Sequence, residues 1–299
     1  MSGTTELADF YSVLEESAGL LNAPCVPDKV WPVLTAYADV FLQSAISFRT
    51  ETRVRRTGEL GCRFTMITPE VDPYARALAH GLTPDTGHPV GRLLADIRDH
   101  CPIDNYGMDF GLADGFRKTW QFFPPGDMQT VGTLASIPSM PRGVTDNAGF
   151  FASYGLDDKV CLTGIDYQNR TANIYFGQPP AGSLEPGAIL AMHRETGLPE
   201  PSARMLRLCQ QAVAVYVTLS WDSPRIERIS FTLMSPGPEV LEGQLEPEIE
   251  QLLNNAPSSD PTAGRRFMFY VASSAAGEYQ KLQIFYRWSP RVVNLVLSS

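Results

Sequence analysis

Residues 213–231, VAVYVTLSWDSPRIERISF, alternate strictly: Val213, Val215, Val217 and Leu219 fall on one side, and Ala214, Tyr216, Thr218 and Ser220 on the other. The segment that follows repeats the split, with Ile229, Phe231 and Leu233 opposed to Arg228, Ser230 and Thr232. Successive side chains of a strand point to opposite faces, so the pair reads as a β-hairpin with one apolar face and one face of cation, phenol and hydroxyl. The same division recurs at 169–176, where Asn169, Thr171, Asn173 and Tyr175 oppose Ala172, Ile174 and Phe176. It recurs again at 281–288, with Lys281, Gln283, Phe285 and Arg287 against Leu282, Ile284, Tyr286 and Trp288. At 61–66, Arg63 and Thr65 oppose Cys62, Phe64 and Met66. Strand by strand, a half-solvated antiparallel sheet accounts for this. Taken together the polar faces mix cations with Tyr, Trp, Phe and Asn, a blend that lines binding cavities.

The elements recur in order. Helical periodicity covers 5–22 and 28–44, and strands follow near 45–51 and 61–67. Helices near 73–81 and 90–99 precede strands near 103–110 and 116–123, and a helical region at 128–153 precedes strands 159–166 and 170–177. Helices near 186–196 and 202–210 lead into the hairpin. A helix near 246–254 leads into strands near 266–273 and 279–288. Five rounds of helix, helix, strand, strand predict an α+β fold: an antiparallel ten-stranded β-barrel surrounded by helices. Closure turns the apolar faces outward onto the helices and the polar faces inward onto a lumen wide enough for ligands. The stretch 255–264 (NAPSSDPTAG) reads as a surface excursion rather than a linker, so one domain is expected over 1–299.

Composition narrows the partners. A net charge of −9 argues against nucleic acid, and the one basic run, Arg53–Arg56, reads as a loop. No apolar run approaches the ~20 residues that span a bilayer and the first residues lack a signal-peptide pattern, so the cytoplasm is the expected location and no membrane partner is expected. Cys25, Cys62, Cys101, Cys161 and Cys209 are odd in number and lack CxxC spacing, which suggests free thiols. His80, His88, His100 and His193 have no ligand spacing, and no nucleophile elbow, dinucleotide turn or P-loop occurs.

On the inner face the pattern gathers Arg63, Lys118, Arg228 and Lys281, with Asn173, Tyr175 and Tyr216 beside them. In GFRKTWQFF (115–123), Lys118, Trp120 and Phe122 share a side. Cations without evident carboxylate partners on those faces need a counter-charge, which a diphosphate supplies. The faces of Trp120, Tyr175, Tyr216 and Phe285 suit an apolar chain and a carbocation. Together they predict ionisation of an allylic diphosphate and capture of the cation by an aromatic ring.

At these residues the chain resembles the soluble aromatic prenyltransferases of the ABBA barrel class from actinobacteria and fungi. The motifs run through nearly its whole length: EESAGLL (15–21), DPYA (72–75), TGHPV (86–90), GFRKTWQFF, SIPSMP (136–141), FASYGLD (151–157), NIYF (173–176), VYVTLSW (215–221) and EYQKL (278–282). SFR (47–49), CRFTM (62–66) and YVTLSWDS (216–223) are most similar to phenazine prenyltransferases. The resemblance implies diphosphate binding by Lys118, Asn173, Tyr216, Arg228 and Lys281, with Tyr175 against the prenyl chain. It implies an acceptor pocket shaped by Cys161, Ala214, Thr232, Gln283 and Phe285. Trp120 is expected beside the donor, or simply as a barrel-filling aromatic.

Magnesium-dependent relatives carry an aspartate in the strand that here reads ELGCRF, where this chain has Gly61 and, two residues on, Arg63. A guanidinium in place of the metal's charge implies turnover without magnesium, and hence no metal and no cofactor. Glu278 stands three residues before Lys281, where the resemblance implies a general base; the alternative is that it pairs with Lys281. The implied reaction is transfer of a dimethylallyl or geranyl group to a phenolic or nitrogen-heterocyclic acceptor, such as a dihydrophenazine carboxylate or flaviolin, in specialised metabolism. The expected partners are therefore small molecules and the expected state a monomer. A barrel that only binds aromatic compounds is the competing reading, though such a carrier has no need of four inward cations.

Overall fold

A computed structural model of the chain describes residues 2–52, 59–241, 243, 245–262 and 264–292. The basic run at 53–56 lies outside the described residues. Ten strands form the centre: β1 (Ala45–Glu51), β2 (Gly61–Ile67), β3 (Asn105–Gly111), β4 (Gly115–Phe122), β5 (Val160–Asp166), β6 (Thr171–Gly177), β7 (Ala214–Ser220), β8 (Arg228–Met234), β9 (Phe267–Ser274) and β10 (Gly277–Arg287). Each pairs antiparallel with its sequence neighbours, and β1 meets β10 to close the barrel. Closure removes the sheet edges, so every strand has a partner on both sides.

Helices sheathe the outside. Ser2–Leu20, Pro27–Ala36 and Ala38–Phe41 precede the first strand pair, and Pro73–Ala79 and Val90–His100 precede the second. Asp72 starts Pro73–Ala79 by accepting hydrogen bonds from the Tyr74 and Ala75 amides, with proline in the first helical position. The expected helix 28–44 divides at Tyr37, whose hydroxyl donates to the Pro73 carbonyl at 2.5 Å and ties the two helical layers together. The expected helical region 128–153 resolves into three short helices, Val131–Ala135, Gly143–Asp146 and Ala148–Ser153. Pro138 and Pro141 explain the break, since each removes a backbone donor. Pro238–Leu241 is an additional turn of helix that the sequence pattern did not indicate.

The hydrophobic core lies outside the barrel rather than in it. Phe48, Phe64, Phe110, Phe176, Phe231 and Phe269 point outward, are fully buried, and belong to the layer between strands and helices. Phe64 packs against Phe10 and Phe41, with ring centroids 6.3 and 5.8 Å away, and meets Phe110 edge-on at 5.9 Å. Tyr167 stacks on Tyr74 at 4.0 Å while its hydroxyl bonds Thr119 at 2.9 Å, so this buried phenol is satisfied.

Strand bulges modify the alternation at a few places. The β2–β3 register shifts between Thr65 and Ile67, and Met66 sits there with φ 73°; it joins the inner apolar cluster instead of the outer face. The β1–β10 register shifts between Ile46 and Ser47, which pair with Arg287 and Phe285. Arg287, expected inside, donates to the carbonyls of Phe41 (2.6 Å) and Leu42 (3.1 Å) outside the barrel. Trp288, expected outside, packs with the inner cluster edge-on to Phe285 at 4.6 Å. A bulge adds one residue to one strand, and all side chains beyond it change sides.

Because the core lies in the outer layer, its truncation should unfold the protein without directly touching the lumen. Phe64→Ala is expected to cost about 3–5 kcal/mol in urea unfolding, as large-to-small changes in packed cores do.

Candidate active site

The lumen has a charged end and an apolar end. At the charged end Asp109 on β3, Lys118 on β4 and Asp166 on β5 lie in register on successive strands. Lys118 Nζ is 2.8 Å from Asp166 Oδ2, and Arg49 of β1 donates to Asp109. Burial works to raise the Asp166 carboxyl, but the Lys118 ammonium and two hydrogen bonds from Asn169 override it and hold the group well below the usual carboxylate range. From the opposite wall, Arg228 Nε donates to Thr218 Oγ1 at 3.0 Å, and Thr218 donates to Asn173 Oδ1 at 2.6 Å. Arg228 Nη1 reaches the Tyr279 hydroxyl at 3.2 Å. Lys281 Nζ lies 2.5 Å from the Tyr216 hydroxyl. Burial, opposed by Tyr279 and reinforced by the Arg228 charge, lowers Lys281 to about 7. Arg49, Lys118 and Lys281 share one space with Glu51 and Asp109.

The apolar end is built from aromatic faces. Tyr175 stacks on Tyr216 with centroids 4.3 Å apart, and its hydroxyl accepts from Trp120 Nε1 at 3.3 Å. Tyr270 meets Tyr216 edge-on at 6.2 Å. Gly164 opposes Trp120 across β4–β5, and a Cβ there would stand 2.8 Å from Trp120 Nε1, so the indole's seat requires glycine. Beyond this wall lies a cavity lined by Phe122, Cys161, Leu162, Ala214, Thr232, Met268, Tyr270, Gln283 and Val292. The β5 bulge between Val160 and Leu162 turns both Cys161 and Leu162 toward it. Burial pushes the Cys161 thiol and the Tyr175 and Tyr270 phenols up to about 12, so these groups stay protonated at neutral pH.

Arg63 stands between the ends. Its guanidinium carbon lies 3.6 Å from the Trp120 ring centroid, Nη1 donates to Gln283 Oε1 at 2.9 Å, and the side chain lines the apolar cavity. Burial first, and the Arg49 charge second, lower it to about 10.

The structure therefore brings Lys118, Asn173, Tyr216, Arg228 and Lys281 together at one end. It brings Trp120, Cys161, Tyr175, Ala214, Thr232, Gln283 and Phe285 together at the other. Arg63 lines the apolar cavity and shares the Trp120 ring with Arg49, while Lys118 and Lys281 lie in the space at the charged end. The expectation that the inward cations lack carboxylates is corrected by Asp109 and Asp166, both on the inward parity of their strands. Arg49 and Tyr270 were also missed, although each follows from the same alternation: Arg49 shares a side with Ala45 and Ser47, and Tyr270 with Met268 and Ala272. Among the described residues no group of three or more His, Cys, Asp or Glu could hold a metal ion.

Glu278 does not join the site. Its carboxylate faces out of the barrel, accepting from the Ser202 amide and, at 2.7 Å, from the Ser202 hydroxyl. Ser202 caps the helix Ala203–Cys209. A separation of three residues along a strand places two side chains on opposite faces, so neither a base in the lumen nor a pair with Lys281 is available to Glu278. Glu278→Gln is expected to leave turnover and donor affinity within about twofold of the parent and to lower stability by no more than about 1 kcal/mol, checked by steady-state kinetics and thermal melting.

A closed barrel of ten antiparallel strands, with cations at one end of its lumen and an aromatic-walled cavity at the other, defines a site for a substrate that is anionic at one end and apolar at the other. The family model described as Aromatic prenyltransferase Orf2 matches residues 5–296, and the chain belongs to that family. It is 46% identical to the 5,10-dihydrophenazine-1-carboxylate 9-dimethylallyltransferase of Streptomyces anulatus, over 99% of this chain and 98% of the relative. It is 47% identical to a flaviolin linalyltransferase of Streptomyces virginiae, over 96% and 95%. It is 43% identical to the furaquinocin biosynthesis prenyltransferase of a Streptomyces strain, over 95% and 91%. The crystal structure of PriB in binary complex with product diphosphate shares the fold at a TM-score of 0.52 and 11% identity, covering 98% of this chain and 97% of that one. The chain is an aromatic prenyltransferase. None of the helices among the described residues is long and apolar enough to cross a membrane.

Proposed function

We propose that the protein transfers a dimethylallyl group from its diphosphate to an aromatic acceptor of the dihydrophenazine carboxylate type, without a metal ion. The observation that carries this reading is the set of cations, Arg49, Lys118, Arg228 and Lys281, converging with Asn173 and Tyr216 at the mouth of an enclosed aromatic cavity. Placed there, the diphosphate accepts charge-assisted hydrogen bonds while its allylic C–O bond breaks and the electron pair leaves with it. The allylic cation then lies against the faces of Tyr175, Tyr216 and Trp120, which stabilise it through their quadrupoles and keep water away. A ring carbon of the acceptor in the cavity beyond forms the new bond to it, and the proton that this carbon loses passes to the released diphosphate.

A short donor is supported by the stack of Tyr175 on Tyr216 and the Trp120–Tyr175 hydrogen bond, which together limit the depth available to a prenyl tail. The flat, little-hydroxylated wall of Cys161, Leu162, Ala214 and Met268 supports a fused-ring acceptor. Turnover without magnesium is supported by the engagement of the inward carboxylates Asp109 and Asp166 with cations. The protein is proposed to act as a monomeric cytoplasmic enzyme with small molecules as its only partners.

A mass-spectrometric product screen in excess EDTA tests the reading, crossing dimethylallyl and geranyl diphosphate with dihydrophenazine-1-carboxylate, flaviolin and dihydroxynaphthalenes. A product heavier than the dihydrophenazine by one dimethylallyl unit is expected at full rate. Activity restored only by magnesium, or confined to flaviolin with the longer donor, would replace this reading.

Lys281 makes donor binding pH-dependent. In the empty site its ammonium is charged below about 7 and neutral above. Diphosphate favours the charged form, so binding above pH 7 must take up a proton. Donor affinity is expected to fall by up to about tenfold per pH unit between 7 and 9, with calorimetry in buffers of different ionisation enthalpy reporting the uptake. In Lys281→Met the uptake should disappear.

A further inference from the structure

Arg49 has Asp109 and Lys118 has Asp166, while Arg228 bonds the hydroxyls of Thr218 and Tyr279 and Lys281 that of Tyr216, all at the diphosphate end. Arg63 is different. It is 6% exposed, one face of its guanidinium is covered by Trp120, and its Nη1 donates to a neutral amide, Gln283. That amide oxygen also accepts from the Tyr270 hydroxyl at 3.2 Å, so its lone pairs are occupied. Among the described residues Arg63 Nε has no hydrogen-bond partner although it is buried. Nε belongs to the edge of a guanidinium that grips carboxylates with two parallel hydrogen bonds. Thr232, 3% exposed on the wall of the same cavity, has a hydroxyl without a partner as well. Ser47, opposite Arg63 in the β1–β2 register, has a third.

A buried cation without a counter-charge costs several kcal/mol, and most buried polar atoms are paired. The arrangement is therefore complete only with a ligand, and that ligand shares the apolar cavity rather than the diphosphate end. We propose that Arg63 is the acceptor's anion subsite: it binds a carboxylate on the aromatic ring, with Thr232 as a second polar contact, and selects ring acids over neutral aromatics. This rests on the proposed function and deepens it by naming the residue that holds the acceptor's carboxylate. The neutrality of Gln283 is part of the device, because a carboxylate in its place would satisfy Arg63 from within the protein. The carboxylate held on Arg63 also fixes which ring edge faces Trp120 and Tyr175, and with it the carbon presented to the donor.

The experiment compares phenazine-1-carboxylate with its isosteric 1-carboxamide, by calorimetry on the whole protein at pH 7.5 and by dimethylallyl transfer to the reduced forms of both. The acid is expected to bind at least about tenfold more tightly and to be the better substrate by a similar factor in kcat/KM, the scale of a charge-assisted hydrogen bond. Arg63→Gln and Gln283→Glu should each bring the two ligands to within about threefold by weakening the acid, with the effect in KM and with donor affinity within about twofold of the parent. Equal binding of acid and amide to the parent protein, or binding of neither, overturns the proposal. So does loss of donor affinity in Arg63→Gln with the acid preference unchanged, which returns Arg63 to the diphosphate. Failure of transfer to either acceptor, with the acid preference in binding intact, would count against the acceptor assigned under the proposed function and leave the subsite standing.

Discussion

Everything in this protein follows from closing a sheet whose apolar face is on the outside. An ordinary antiparallel sheet hides its apolar side and gives the other to water. Here the apolar side chains of ten strands pack against a surrounding layer of helices, and the polar side chains are forced into an enclosed lumen. Buried polar atoms must be paired, so the lumen becomes a network of bonds such as Arg49 to Asp109 and Arg228 to Thr218 to Asn173. Stability is supplied by one layer and chemistry by the other, and the two share only the strand backbones.

The separation of functions extends along the barrel axis. Carboxylates occur where cations are gathered, and their presence limits the positive charge of an empty site. Aromatic faces occur where a carbocation would need a wall. Arg63 lies at the junction, stacked on Trp120, and links the two chemical environments through Gln283 and Tyr270.

Alternation made most of this legible in the sequence. Period two placed Lys118, Trp120, Tyr175, Tyr216, Arg228 and Lys281 on one surface with no structural information, and all six are inside. The same rule, applied to β3 and β5, also yields Asp109 and Asp166, so their omission was not a limit of the sequence. Glu278 was misplaced because a motif spacing was carried over without its parity; three residues from Lys281 is the wrong side of a strand. Arg287, Trp288 and Met66 lay beyond reach for a different reason. A bulge is a register decision taken jointly by two strands far apart in sequence, and neither strand alone contains it. The helices show the corresponding limit: Tyr37 divides one of them through a contact with Pro73 that no local periodicity encodes.

Three of the four register shifts, at Met66, at Cys161 and beside Arg287, lie toward the apolar end. The fourth, between Asp109 and Phe110, lies at the charged end, so the ladder loosens more often where the acceptor would sit. A barrel built this way can change its cavity by gaining, losing or moving a single bulge, since each such step swings a new side chain inward while the strands beneath keep their pairing. The cation-lined end has less of this freedom, because its one shift lies beside Asp109 while Lys118 faces Asp166, and Asn173 faces Thr218, across regular register. One leaving group and many acceptors is the diversity such a frame permits.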